Sequence, residues 1–418
     1  MRVRRALFIA LAAAGIAPAA PEDPSPLWSA LAGSPALEAA RRRVGAAQAR
    51  IGAAGRLADP EVEAMGSRVG GGPMGDDRSM WEFNLRQPLP RRGERAADRE
   101  RAAAGVRMAE AELALIAGDT AAEAAISLAE AEGSRARLAL LESQRSRLGA
   151  ALASLDTRLA AGATVKLADR LTLQSRIAAL ELAVAENRRA AADAESVARM
   201  HLALAPDASL PPFAAPEPSA IRAEGSPGVA LAEARAAEAV AMGRMARAGA
   251  NPMTSVGLRL EREGGGAAAQ DTFGLAVSSE IPWRSRGYAR AGSRAAEAER
   301  AAAQADAEMA RRRVANALGR AGRAEQLAGA ARRLALETRA RLDAEHEILN
   351  GTVSVGAAGG MGGDSAVLHA IDILERTAET QLRIIEAETM ARSARAELWR
   401  HVESRRLLAH AAAPNPSP

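Results

Sequence analysis

The chain has 418 residues, 48% of them hydrophobic but only 2% aromatic, and it contains no cysteine. Its formal charge is +4, of which Arg2, Arg4 and Arg5 supply three, and the near-neutral remainder argues against a nucleic-acid binder. Lack of cysteine excludes disulfides, thiolate metal sites and an N-terminal lipid on cysteine.

The three N-terminal arginines precede the apolar run ALFIALAAAGIA and then Ala17-Pro18-Ala19, a small-x-small sequence of the kind signal peptidase cuts. Residues 1–19 therefore read as a secretory signal and 20–33 as a linker. The apolar run is too short to span a bilayer as a helix, and nothing after it approaches the roughly 18 apolar residues a span requires. The mature protein is expected to be exported without a helical anchor.

From residue 34 onward the sequence repeats. Ser34-Pro35 recurs as Ser226-Pro227, Asp59-Pro60 as Asn251-Pro252, and Pro90 as Pro282, all at an offset of 192. Two copies of one unit are expected, 34–219 and 220–410, followed by a disordered tail at 411–418. Each copy opens with a helix. In the first, Leu37, Val44 and Ile51 fall every seven residues with Ala40, Ala47 and Ala54 three behind them, a coiled-coil seam. The Asp-Pro and Asn-Pro pairs are expected to end these helices, because the residue before proline is pushed out of the helical region.

A β-hairpin follows in each copy, at 60–88 and 252–282, with Gly-rich stretches between its two strands. Trp81, Phe83 and Leu85 alternate with Glu82, Asn84 and Arg86, and a period of two puts the two sets on opposite faces. Phe273, Leu275 and Val277 repeat the pattern, as do Val256, Leu258 and Leu260. Strands of about ten residues match the 9 to 11 needed to cross an outer membrane. Trp81, Phe83, Leu85, Phe273, Leu275 and Val277 are therefore expected to face lipid. The alternative is a soluble hairpin packed on helices, whose strands would usually be nearer 5 or 6 residues. Pro88, Pro90 and Pro282 are expected to end strand pairing, with the arginines beyond them marking where the chain leaves lipid.

Long helical hairpins complete the copies, at 94–204 and 290–408. No proline interrupts 94–160, and Leu138, Leu141, Leu148, Leu152, Leu155 and Leu159 fit a 3.5-residue period. At about 1.5 Å per residue this helix would reach on the order of 100 Å. Breaks are expected at Gly162-Ala163-Thr164 and at Asn350-Gly351-Thr352, the second carrying the insert VGAAGGMGGD over 355–364. Four strands cannot close a barrel, since small barrels need about eight, and lipid does not tolerate open strand edges. Three copies would supply twelve strands.

Nothing points to catalysis, a cofactor or a metal. The histidines at 201, 346, 369, 401 and 410 lack ligand spacing, and the glycine triplets at 70–72 and 264–266 lack the Lys-Ser/Thr of a phosphate loop. The scattered methionines read as packing residues.

The chain resembles the TolC-type outer-membrane efflux family. The resemblance rests on SPALEAARRRVGAAQARIGAAGRLADPEVEA, on the strand exit NLRQPLPRRGER with its echo SEIPWRSRGYAR, and on the helix-tip segment RLAAGATVKLADRLTLQ. The strand exit is similar in particular to that of the heavy-metal and cation efflux branch. The resemblance implies a mainly α fold with a small β part: a homotrimer with a twelve-stranded transmembrane β-barrel and a long periplasmic α-barrel of antiparallel coiled-coil hairpins. It further implies an outer-membrane location and docking of the hairpin tips on a periplasmic adaptor serving an inner-membrane pump. Arg158, Gly162 and Thr164, and Gly351, Val353 and Ser354, occupy the family's tip positions. Asp372, with Asp364 as second choice, is the candidate pore gate. This chain departs from many relatives in lacking an N-terminal lipidated cysteine and in carrying the Gly-rich insert. The rival readings are a periplasmic coiled-coil adaptor and a structural scaffold without a pore.

Overall fold

The computed structural model describes residues 23–70, 78–161, 167–265, 268–356 and 363–412. In chain order the elements are α1 (Ser25–Leu31), α2 (Pro35–Ile51), β1 (Glu61–Val69), β2 (Arg78–Leu89), α3 (Glu94–Ala160) and α4 (Leu167–His201). There follow α5 (Pro227–Ala248), β3 (Thr254–Gly265), β4 (Ala268–Ser279), α6 (Ser285–Gly356), α7 (Gly363–Ala396) and α8 (Ser404–Ala412). Short 3-10 turns lie at Pro218–Ala220 and Glu397–His401. The order helix, two strands, two helices occurs twice, and Pro35 and Pro227 each stand at the first position of their helix, where the missing N–H costs nothing.

The helix α2 stops at Ile51, well before Asp59-Pro60, because glycine intervenes first. Gly52 caps it, and Gly55 takes a left-handed φ of 69°. That turn is clamped on α3: the Gly55 N–H donates to Asp98 Oδ2 at 2.8 Å, and Arg95 Nε donates to the Gly55 carbonyl at 2.7 Å. A Cβ on Gly55 would meet the Arg99 side chain at 2.7 Å, so both conformation and space require glycine.

The four strands form one antiparallel sheet in the order β1-β2-β3-β4, in which the two hairpins are joined by the pairing of β2 with β3. Pro88 lies inside β2, paired with Ser255, which corrects the expectation that it ends the strand. The last β1 pair is Glu61 with Arg86, so at Pro88 the strand has a neighbour on one side alone and an absent N–H is tolerated there.

The helix α3 runs its expected length. Leu148 and Leu155 on α3 and Leu173 on α4 form a buried seam, flanked by Leu152, Ile177 and Leu180, and Arg170 Nε closes the hairpin end on Asp156 at 2.7 Å. The α6/α7 seam differs: its buried residues are Ala328, Ala387 and Ala391, with Ala324 and Ala331 beside them. The two hairpins are tied laterally by Arg137–Glu386 at 2.8 Å, Arg392–Glu132 at 2.5 Å and Arg176–Glu375 at 2.7 Å. The expected break at Asn350-Gly351-Thr352 is absent; α6 continues to Gly356. A single glycine costs a helix only about 1 kcal/mol, too little to end one of this length.

The main core lies midway along α3, where Leu113, Ala117, Ala121 and Leu128 meet Leu202, Phe213, Val314, Leu398 and Leu407. Two expectations are corrected here. The segment 20–33 is not a linker throughout, since α1 buries Leu27, Trp28 and Leu31 in this core. Nor does a disordered tail begin at 411: Ala411 is buried in α8 and its carbonyl accepts from Arg41 Nε at 2.7 Å. The expected signal 1–19 falls outside the described residues.

Candidate functional site: the sheet face and the hairpin tips

The register places one apolar face across all four strands. Val62, Leu85, Leu258 and Leu275 stand side by side, then Ala64, Phe83, Leu260 and Phe273, with Val256 opposite Val277. All six residues expected to face lipid thus lie on this face. Trp81, Phe83, Phe273, Leu275 and Val277 are exposed on the protomer, Phe273 and Leu275 at 67% and 76%, and Leu85 is half-buried. Trp81 lies against Gly66: a Cβ there would come within 3.0 Å of the indole ring. A contiguous apolar surface of this kind marks contact with lipid or protein.

The opposite face is polar. Glu61, Glu63, Glu82, Asn84, Arg86, Arg259, Glu261 and Thr272 share it by parity. Glu82 and Glu261 face each other across the β2–β3 pair, where like charges repel. Arg259 offsets this by reaching both, at 3.1 Å to Glu82 and 3.2 Å to Glu261, and Asn84 donates to Glu82 at 2.8 Å. The bridging role of Arg259 was missed in the sequence, although its place between the apolar Leu258 and Leu260 signalled the face. Beyond the sheet, Arg91 Nη2 donates to Glu280 at 2.8 Å and Asn251 donates to the Arg92 carbonyl at 3.1 Å, so the two strand exits are held together.

At the helical ends, Arg158 lies in the last turn of α3, while Gly162 and Thr164 fall outside the described residues. Gly351, Val353 and Ser354 lie within the last two turns of α6, not in a turn between helices, and Asp364 is the second residue of α7. Asp372, two turns further along α7, pairs with Arg376 at 2.9 Å. Asp169 on α4 is buried. Asp372 and Asp364, the first and second choices for the gate, both lie on α7, eight residues apart. Among the described residues no three His, Asp and Glu side chains converge as metal ligands would, and no helix is long and apolar enough to cross a membrane.

No family model matches the sequence, and no curated protein matches it. Solved structures do match. The outer-membrane channel OprN matches with TM-score 0.65 and 20% identity, over 91% of this chain and 90% of that one. The outer membrane protein VceC of Vibrio cholerae matches with TM-score 0.66 and 16% identity, over 93% and 95%. The MtrE outer membrane channel of Neisseria gonorrhoeae, in its open state, matches with TM-score 0.65 and 15% identity, over 91% and 89%. The fold is that of the TolC-type outer-membrane channels, mainly α with a four-stranded β part, as the sequence resemblance implied. The scores are nearly equal and favour no branch.

Proposed function

We propose that this chain is the outer-membrane channel of a tripartite efflux system, a passive exit duct fed by an inner-membrane pump through a periplasmic adaptor. One observation carries the reading: a four-stranded sheet has one face that is apolar at mid-strand, with the Arg262–Asp271 pair beside Trp81 towards the hairpin turns, one polar face, and strands β1 and β4 unpaired at its edges. A bilayer accepts an apolar sheet face but no open strand edge. The edges must therefore pair between copies, and a homotrimer of twelve strands closes the barrel with the polar face towards water. Strands of 9, 12, 12 and 12 residues are long enough to cross.

The long hairpins then extend from one end of the barrel into the periplasm. Their tips, with Arg158, Gly162 and Thr164 on one and Gly351, Val353 and Ser354 on the other, are the surfaces offered to the adaptor. An adaptor or pore-free scaffold does not need an apolar sheet face on the outside.

The deciding experiment is expression of the full chain followed by fractionation and planar-bilayer recording. Recovery from the outer membrane as an SDS-resistant, heat-dissociated trimer that conducts ions supports the channel. Recovery as a soluble periplasmic protein rejects it.

A further inference from the structure

The helices keep the order of the strands. Next to the sheet α2 packs on α3, α3 on α5 and α5 on α6, and farther from it α4 packs on α3, α3 on α7 and α7 on α6. The helix α6 therefore stands at one edge of both rows, and α2 and α4 stand at the other. Since α2 leads into β1 and α6 leaves β4, pairing β4 of one copy with β1 of the next sets α6 beside α2 and α4 of that next copy. Both edges are built to be covered: Leu182 on α4 and Leu336 on α6 are 63% and 68% exposed.

Four pairs of charges occupy these edges. On α2, Glu38 and Arg42 lie two residues to either side of the buried Ala40, and on α4, Arg189 and Asp193 lie likewise around the buried Ala191. On α6, Glu308 and Arg312 flank Ala310, which lies against Gly228 of α5, and Arg333 and Glu337 flank the half-buried Ala335. Two residues are more than half a turn at 3.6 per turn, so all eight face away from the helices packed within the protomer, and all eight are exposed. Other charges join one helix to another, as Arg188 does with Glu142 and Arg332 with Glu388. Among the described residues these eight form ion pairs only within their own helix or none at all.

Their order along the chain is complementary. Glu38–Arg42 and Glu308–Arg312 both run anion then cation, whereas Arg189–Asp193 and Arg333–Glu337 both run cation then anion. The helices α2 and α4 run towards the sheet and α6 away from it, so equal order in antiparallel neighbours sets opposite charges face to face. The levels agree in both stretches. Contacts of Gly55 with Asp98, Glu100 with Arg244 and Gly243 with Ala296 bring the α2 pair within one helical turn of Glu308–Arg312. The bridges Arg188–Glu142, Arg137–Glu386 and Arg332–Glu388 do the same for the α4 pair and Arg333–Glu337.

We propose that the outer face of α6 is a docking surface for a second copy of this chain, along its α2 and α4. Glu38 and Arg42 of the one copy face Arg312 and Glu308 of the other, and Arg189 and Asp193 face Glu337 and Arg333. This rests on the channel reading above and adds to it a charged seam below the barrel. Contact between copies removes water from pairs that would contribute little when exposed, and the charge order fixes the register in which the copies meet.

Charge exchange in the full-length chain tests the proposal. Arg189→Asp with Asp193→Arg, or Arg333→Glu with Glu337→Arg, puts like charges face to face and should lower the SDS-resistant trimer about tenfold or more. The two exchanges combined restore opposite charges and should recover most of the trimer. A second measurement uses the absence of cysteine. Asp193→Cys and Arg333→Cys stand on opposite edges of one protomer, so a short bis-maleimide can join them only between copies. Covalent dimers and trimers on heated SDS gels are expected from the double variant and from neither single one. Single exchanges that leave the trimer unchanged, a combined variant no better than either exchange, or a double cysteine variant that does not cross-link overturns the proposal. Cross-linking of Asp193→Cys in cells to a different polypeptide would assign the face to an adaptor and overturn it too. A chain that is trimeric and conducts but fails these tests refutes the seam and leaves the channel standing; a chain that stays monomeric and does not conduct refutes both.

Discussion

The imidazole of His410 lies flat on the indole of Trp28, with ring centroids 5.0 Å apart and planes 2° from parallel. Trp28 in turn meets Trp399 edge-on at 5.5 Å. Residues near the two chain ends are thus packed into one cluster that docks α8 on α1. Burial holds the His410 pKa below its ordinary 6.5. His401, at the end of the 3-10 turn before α8, is held below it by burial first and by Arg400 and Arg320 second, against Glu397 and Asp119.

For both groups the unfolded chain binds a proton more readily than the folded one. Their contribution is unaffected above the unfolded value and is lost as pH falls from about 6.5 towards the lower folded values. Hydrogen exchange of residues 404–412, corrected for intrinsic rates, should therefore show α8 loosening between pH 7.5 and 5.5. His410→Phe keeps the stack and should reduce the pH dependence, leaving the share of His401. His410→Ala removes the stack and should loosen α8 at every pH by about 0.5–1.5 kcal/mol. Exchange that does not change with pH in the wild type would refute the assignment.

Two glycines on α3 should respond oppositely to alanine. At Gly118 a Cβ would stand 2.8 Å from the Trp399 carbonyl oxygen and 3.1 Å from the Arg400 Cα, backbone atoms that no rotamer change can move. Gly118→Ala should destabilise by about 1–3 kcal/mol despite alanine's better helix propensity. Nothing lies within 4 Å of the Cβ position at Gly149, so Gly149→Ala should stabilise by about 0.5–1 kcal/mol. Thermal unfolding in detergent separates the two, and a shift of the same sign in both would refute the packing argument.

The parts of the fold legible in the sequence are those with strong periodic contrast. Scarce aromatics alternating with Glu82, Asn84 and Arg86 marked β2, the period of two in Phe273, Leu275 and Val277 marked β4, and the leucine spacing of α3 marked a seam of which Leu148 and Leu155 are indeed buried. Short amphipathic pieces were not legible. The helices α1 and α8 have too few residues to show a period, and their burial depends on meeting each other across the whole chain. The α6/α7 seam is alanine on alanine, which gives no contrast in a sequence rich in alanine throughout. The end of α6 was misplaced because glycine punctuation is weak against a long packed helix. Which face of the sheet is apolar was legible, whereas the Arg259 bridge required knowledge of which strands pair.

The sheet assignment predicts a strict dependence on parity. Phe83→Arg or Leu275→Arg puts a guanidinium on the apolar face at mid-strand, at a cost of about 2–4 kcal/mol near the bilayer midplane, and should reduce assembled trimer. Asn84→Arg and Ala276→Arg lie on the other face and should be mild. Trimer yield on unheated SDS gels is the readout. Equal loss at both parities would show that the apolar face does not contact lipid.

The gate prediction is sharpened by the ion pair on α7. In a trimer, Asp372 would form a ring of three carboxylates, which attracts cations and holds divalent ions. Each carboxylate, however, pairs with Arg376 one turn on, at 2.9 Å, so a ring of guanidiniums sits beside the acidic one and reduces its field. Neighbouring Glu375 is engaged by Arg176 of α4, which leaves the Asp372–Arg376 pair as the adjustable one. If Asp372 lines the pore, Asp372→Ala should weaken cation selectivity and divalent block, and Arg376→Gln should strengthen both by freeing the carboxylates. Opposite shifts of the reversal potential in asymmetric salt are the expected result in planar bilayers. If the pair only braces the surface of α7, where an exposed i,i+4 bridge contributes about 0.3–0.5 kcal/mol, both variants should leave selectivity unchanged while the trimer stays intact, and Asp372 would no longer be a gate.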